Sequence, residues 1–482
     1  INQLKKQAAS GVVPADGSVP SAVAAPAKQG LQQAIQNDVP SDSLKPGQIK
    51  LGSSLVSLGG FVDASLLFRL HNLTADNGAP FLALPFPSQG DVGRNTELRG
   101  SARASRVSLR VDDSLGSDST RFSTYGEVDF LGTGGDSSNQ LQLNGYQPRL
   151  RQVWFAAEQQ ADRNGFSLLA GQAYSLVTPS RGRGLAGITQ PDLPPVIDEQ
   201  TVVGSDFARQ WQVRVVKDFG ELSVGVSVEN PQTLWGNALM PNGFARFVTS
   251  TSAHSSLGST PISLDAVPDI VAKLAIDKPM GRFELFGLSR VFRLDDGPNG
   301  GTLSTGGLAG GFNAWVPASP NLDLSGRVSY GTGLGRYGAA QMPDATTDMY
   351  GKPIALKAMH AQLGLVYHPS PQWSAYLYGG FETSYEAGVG AAAGQSFGYG
   401  NPLRINNGCN GTVTALEKGL TFCAGDTQTV GEITAGGWWT LYKGLSGRLQ
   451  LGSQIAYVRR TLFPDLNGVA PWTDNWSLYT SL

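Results

Sequence analysis

Arg149-Leu-Arg-Gln-Val-Trp-Phe155 opens the stretch, Pro148 to Arg214, from which the fold is read. Arg149 to Phe155 reads as a strand. Asn164-Gly165 is a tight-turn dipeptide, and Phe166 to Leu176 reads as the returning strand. From Val177 to Asp206 no periodicity is present, and Pro194-Pro195 interrupts any regular element. Arg209-Gln-Trp-Gln-Val-Arg-Val215 then reads as a third strand. A gap of about thirty residues between paired strands is uncommon in a compact domain and is usually functional or disordered. The segment is expected to fold inward and narrow the lumen of a large barrel.

A two-residue period with one apolar face recurs on both sides. Leu58, Gly60, Val62, Ala64, Leu66 and Phe68 share one face, and Ser57, Gly59, Asp63 and Ser65 the other. Leu222, Val224, Val226 and Val228 alternate with Ser223, Gly225, Ser227 and Glu229. Trp373, Ala375, Leu377 and Phe381 alternate with Ser374, Tyr376, Tyr378 and Glu382. Strands 166–176 and 282–293 carry apolar residues on both parities, which suits a subunit interface or a position under the inward segment.

A soluble β-sandwich also has one apolar face per strand. Two features favour a membrane barrel. Many segments run ten or more residues, the length a tilted strand needs to cross a bilayer. Connections also alternate in length along the chain. Short ones fall at 112–119, 159–165, 218–220, 277–281, 318–321, 368–372 and 442–444. Long ones fall at 71–98, 134–147, 177–206, 230–267, 295–304, 335–356, 386–427 and 459–473. Short periplasmic turns and long outer loops are the habit of outer-membrane barrels. The fold class expected is all-β: a transmembrane antiparallel barrel of about sixteen strands, within the even-numbered range of such proteins. Aromatics near strand ends, such as Phe219, Trp373 and Tyr442, suit interfacial girdles.

Composition agrees. Of 482 residues 62 are glycine and only 15% are charged, against about a quarter charged in soluble domains. A net charge of −2 gives no reason to expect nucleic acid as a partner. Residues 1–50, rich in Ala, Gln, Pro and Ser, are expected to be a poorly ordered tether, and 51–482 the barrel. Leu482 falls in mid-strand, which predicts that the natural chain continues past it. Cys409 and Cys423 lie in one polar loop and are expected to form a disulfide in an oxidising compartment. The alternative is two free thiols.

Inward faces lean basic. Arg106, Arg110, Arg149, Arg151, Arg214, Arg290 and Arg327 fall on polar parities, and Arg181, Arg183, Asp192, Asp198 and Glu199 come from the long segment. These are the expected pore-lining residues. Guanidinium groups on the wall of a water-filled channel favour anions. Against this stands a structural reading, in which the arginines pair across strands with inward acids such as Glu127, Asp129 and Glu432. Catalysis finds no support: of His71, His254, His360 and His368, three fall in loops or turns and His360 has no serine–acid pattern near it in sequence. Metal-ligand spacing is absent, so no cofactor is expected.

Pro46-Gly-Gln-Ile-Lys-Leu-Gly, followed by Gly59-Gly-Phe-Val-Asp-Ala, resembles the first strand of DcaP-like trimeric outer-membrane porins. So does Arg149-Leu-Arg-Gln-Val-Trp-Phe with Leu168-Leu-Ala-Gly-Gln-Ala-Tyr-Ser. The resemblance covers about residues 55–215. It implies a sixteen-stranded homotrimer of the bacterial outer membrane, surrounded by lipid and lipopolysaccharide and passing small anionic solutes. It also implies that Arg106, Arg149, Arg151 and Arg181 line the constriction. The disulfide loop at 386–427 departs from the family pattern. An alternative is a barrel with an occluded lumen that serves as a surface binding or structural protein.

Overall fold

The structure is a computed structural model. It describes residues 44–482 except 74, 76–77, 88–93, 115–119, 133–146, 160–163, 182–190, 237–239, 241–243, 246–261, 298, 405, 407, 410–422, 424 and 446. Of the expected tether, 1–43 lies outside the described residues, and the remainder is not all irregular, because Gln48–Leu51 forms a strand.

The chain is all-β. The strands are β1 (Gln48–Leu51), β2 (Ser54–Phe61), β3 (Ser65–Arg69), β4 (Glu97–Ser101), β5 (Arg106–Ser114), β6 (Thr120–Asp129), β7 (Arg149–Gln159) and β8 (Phe166–Tyr174). Next come β9 (Arg209–Phe219), β10 (Leu222–Glu229), β11 (Phe244–Ala245), β12 (Asp269–Lys278), β13 (Gly281–Asp296), β14 (Thr302–Ser319), β15 (Leu322–Thr332), β16 (Ala345–Thr347) and β17 (Pro353–Ala355). The last are β18 (Lys357–Ser370), β19 (Trp373–Ser384), β20 (Ala387–Ala392), β21 (Gln395–Tyr399), β22 (Thr427–Gly444), β23 (Gly447–Leu462) and β24 (Trp472–Ser481). Twenty of them form one sheet, and β16–β17 and β20–β21 are separate hairpins in long connections.

Every strand ladder is antiparallel, and sequence neighbours pair from β5 through β10 and onward from β12 to β15. The run continues through β18, β19, β22, β23 and β24. β24 pairs with β3, while β2 and β3 pair with β5 and β4. The described segments number twenty-four, which corrects the expected count of about sixteen. Two long strands are each interrupted, at 62–64 and at 102–105, and the loops carry short segments of their own. At the first interruption Asp63 turns inward: its carboxylate accepts from Ser65 and Ser481, and its N–H donates to Ser105 Oγ at 3.0 Å. Beside them Ala64 keeps the main-chain pairing, exchanging bonds with Leu482 at 3.0 and 3.1 Å.

The wall is inside-out relative to a soluble protein. On β12, Ile270, Leu274 and Ile276 are exposed while Asp269 and Lys273 are buried. On β9, Trp211 and Val215 are exposed while Gln210, Gln212 and Arg214 are buried. Apolar patches of this extent are rare on soluble monomers. Near the short turns Trp373 and Trp439 stack at 5.1 Å. The two-sided strand at 282–293 is explained from inside: Phe286 and Leu288 are buried against Leu176 and Val177, which begin the long segment.

Candidate functional site

The connection from β8 to β9 leaves the wall at Ser175 and rejoins it at Ala208. Its described residues are largely buried, including Leu176, Val177, Asp192, Val196, Ile197, Asp198 and 201–206. They do not pack on their own strands alone. Val196, Ile197 and Val202 enter a cluster with Tyr376, Tyr378, Trp438, Ala456 and Tyr479, contributed by β19, β22, β23 and β24. Burying each aliphatic side chain is worth about 1.5–3 kcal/mol, so the apolar contacts stabilise the docked segment. Polar contacts set its register. Trp438 Nε1 donates to Pro195 O at 2.8 Å, and the N–H of Ile197 donates to Gln454 Oε1 at 2.5 Å.

Asp198 has the same role at the far wall. Its carboxylate accepts from the N–H of Ala79 (3.2 Å), the N–H of Gln200 (2.8 Å) and the Tyr479 hydroxyl (2.9 Å). Burial pushes its carboxyl up to about 6, against the downward pull of those bonds and of the Arg69 charge.

The charged side chains gather in separate groups. In the first, Arg151 donates to Glu127 and Asp129 at 2.7 Å each, and Arg149 donates to Asp129 at 2.6 and 2.9 Å. Arg106 stands 3.6 Å from Glu127, and Arg106 and Arg151 each reach Glu199 of the long segment at 3.9 Å. Arg209 lies over the Tyr174 ring, in the field of Arg106, Arg149 and Arg151. Its Nη1 has no hydrogen-bond partner among the described residues. In the second group Arg181 donates to Asp192 at 2.7 Å and stacks on Trp315, and Arg327 donates to the Asp192 carbonyl. Burial alone would lower the Arg181 guanidinium, yet Asp192 beside it carries it above its usual value.

The remaining expected residues lie apart. Arg110 is bound to Asp112 at 2.8 and 3.0 Å, Arg214 donates to Tyr174 O, and Arg290 is held between Asp269 and Asp344. Arg183 lies outside the described residues. Arg181 is bonded to Asp192, eleven residues along its own segment, while Arg149 and Arg151 are bonded to acids of the first group. The structural alternative, arginines neutralised by inward acids, describes most of the wall.

Sequence reasoning missed the residues that receive the segment: His360, Gln362, Glu382, Glu432, Gln454 and Tyr479. Glu382 and Glu432 stood among the inward acids in the sequence, but that no arginine lies directly across the ladder from either is a matter of register. Two other connections also enter the interior. Leu73, Phe81 and Leu84 of the β3–β4 connection pack with Val203, Ala340, Met342 and Val458. Cys409 and Cys423 are disulfide-bonded, as expected, and pack beside Phe86 and Leu462.

No protein-family profile matches the chain. No curated protein sequence matches it either. Among solved structures it is similar to the outer membrane channel DcaP of Acinetobacter baumannii, with a TM-score of 0.60 and 18% identity, covering 91% of this chain and 99% of that one. An anion-selective porin from Comamonas acidovorans aligns with a TM-score of 0.47 and 13% identity over 89% of this chain and 99% of that one. OprB of Pseudomonas putida aligns with a TM-score of 0.43 and 12% identity over 88% and 94%. The chain therefore carries the fold of the DcaP channel, and the resemblance of its sequence to the DcaP-like porins holds at the level of the fold.

Proposed function

We propose that this chain is a porin of the bacterial outer membrane, a closed barrel through which small hydrophilic solutes diffuse. Merging the two interrupted strands and setting aside the six short segments leaves sixteen columns, a size wide enough for a watery lumen. The observation that carries this reading is the inverted wall, apolar where it is exposed and charged where it is buried. The segment from Ser175 to Ala208 narrows the lumen, and the tether lies on the periplasmic side. The protein acts as a homotrimer, as the family resemblance implies, among lipid and lipopolysaccharide. It is a channel and not an enzyme.

Solute preference is for anions, though by a small margin. Around the first charged group four guanidiniums (Arg106, Arg149, Arg151, Arg209) face three carboxylates (Glu127, Asp129, Glu199). One excess positive charge in a narrow, poorly screened passage biases the ion current. A planar-bilayer recording tests this: a stable conductance step with a reversal potential favouring chloride over potassium is expected. A cation-favouring potential would remove the anion preference and leave the channel.

One observation favours a second reading. The apolar cluster of Leu73, Phe81, Leu84, Val203 and Met342 brings three connections together inside the wall. A lumen filled this far would serve a surface-binding or structural role, and the absence of any conductance step would decide for it.

A further inference from the structure

Four consecutive residues of the inward segment each dock on a different side chain of the wall. The N–H of Val203 donates to Glu432 Oε2 at 2.9 Å, and the N–H of Gly204 donates to Glu382 Oε1 at 3.0 Å. Gln362 Nε2 donates to Ser205 Oγ at 2.7 Å, and His360 Nδ1 lies 2.6 Å from Asp206 Oδ1. The four receivers are neighbours in the ladder: His360 pairs with Glu382, Gln362 with Gly380, and Gly380 with Glu432. All are buried.

The backbone approach is as close as chemistry allows. A Cβ at Gly380 would lie 2.0 Å from Val203 O, and one at Gly204 would lie 2.1 Å from Ala361 O. Gly204 also holds φ at +87°, a conformation that suits glycine. Glu382 ties in a second connection, since it also accepts from the N–H of Ala340 at 3.0 Å. Its carboxyl group is faced by His360 at 3.9 Å, with Asp206 beside them. The inward acids Glu127, Asp129 and Glu284 serve arginine or lysine; Glu382 and Glu432 accept from main-chain N–H groups.

We propose that Glu382 and Glu432 are positioning residues that bolt the main chain of 203–204 to the wall and so set the bore of the channel. The proposal rests on the porin reading only for its consequence on the bore; the bolt itself is a property of the fold. Because the bonds run to main-chain atoms, they do not need the Val203 side chain, whereas they do need the two wall carboxyl groups.

The test uses the full-length protein in detergent and in planar bilayers. Gln200→Cys carries a spin label that reports the mobility of the segment. Glu382→Leu with Glu432→Leu is expected to change an immobile label into a mobile one, to raise open-channel noise several-fold and to admit larger polyethylene glycols. Glu382→Gln with Glu432→Gln, which keeps an acceptor oxygen, is expected to restore immobility and the original exclusion limit. If the doubly Leu-substituted protein folds with the label still immobile, the bolt is overturned. If it does not fold, the Glu432→Leu single variant reads the same label, and immobility there counts against the proposal equally. A wild-type protein that shows no conductance would end the porin reading, while the label would still decide the bolt.

Discussion

Arg151 places its Nε 2.7 Å from Glu127 Oε1, and both side chains are almost wholly buried. An ion pair of this kind is costly to break on one side only, since the partner is left charged and unsolvated. Arg151→Ala is therefore expected to destabilise the barrel by about 3–5 kcal/mol, read as a fall in the urea midpoint for unfolding from lipid vesicles. The same change is expected to move the reversal potential toward potassium, because it removes the one excess positive charge of the group and leaves Arg106, Arg149 and Arg209 against Glu127, Asp129 and Glu199.

Gly204→Ala tests the closest approach of segment and wall. A methyl there meets Ala361 O at 2.1 Å and forces a non-glycine residue into left-handed φ. The strain is about 1–3 kcal/mol before the clash is counted. A lower thermal midpoint is expected, together with a noisier open channel. Gly220→Ala is the control: its φ is also positive, but no atom lies within 4 Å of the added carbon. It should cost less and leave the noise unchanged.

Asp198 gives a pH dependence whose sign is fixed. Its folded-state carboxyl sits at about 6 against an ordinary 3.8, so the folded protein holds a proton that the unfolded chain has released. Stability attributable to this group therefore falls as pH rises from about 4 to about 6 and is level above that. The span corresponds to roughly 3 kcal/mol. Asp198→Asn, which stays neutral, should flatten this part of the stability profile measured by thermal unfolding between pH 4 and pH 8. An unchanged slope would mean that another group sets it.

Cys409→Ser with Cys423→Ser opens a loop closed over a sequence separation of 14. The chain-entropy model puts its worth at about 3 kcal/mol. The loss is expected to be local, freeing the packing on Phe86 and exposing 386–427 to protease while the strands stay paired. Proteolysis with and without reductant checks it.

Alternation was enough to read the strands, because an exposed apolar face and a buried polar face impose the period directly on residues such as Ile270 and Lys273. The inward course of 175–208 was legible for the opposite reason, its lack of any period. The interruption at 62–64 was not legible, since it depends on Asp63 meeting Ser481 from the other end of the chain. Nor was the division of the arginines into separate groups. Which acid each one meets is decided by register and by the path of the segment, and Arg181 had Asp192 within reach on its own loop. His360 looked isolated in sequence because its partner, Asp206, lies 154 positions away.

The pairing of β24 with β3 has a consequence for assembly. His71 and Asn475, bonded at 3.0 Å just beyond that ladder, are 404 positions apart. One edge of the earliest long strand therefore stays largely uncovered until almost the whole chain has been delivered. An uncovered strand edge is a template for pairing with any other chain, and contacts of such long range form slowly. That edge must thus be shielded while the chain folds, and the pairing that covers it is the one made by residues 472–481.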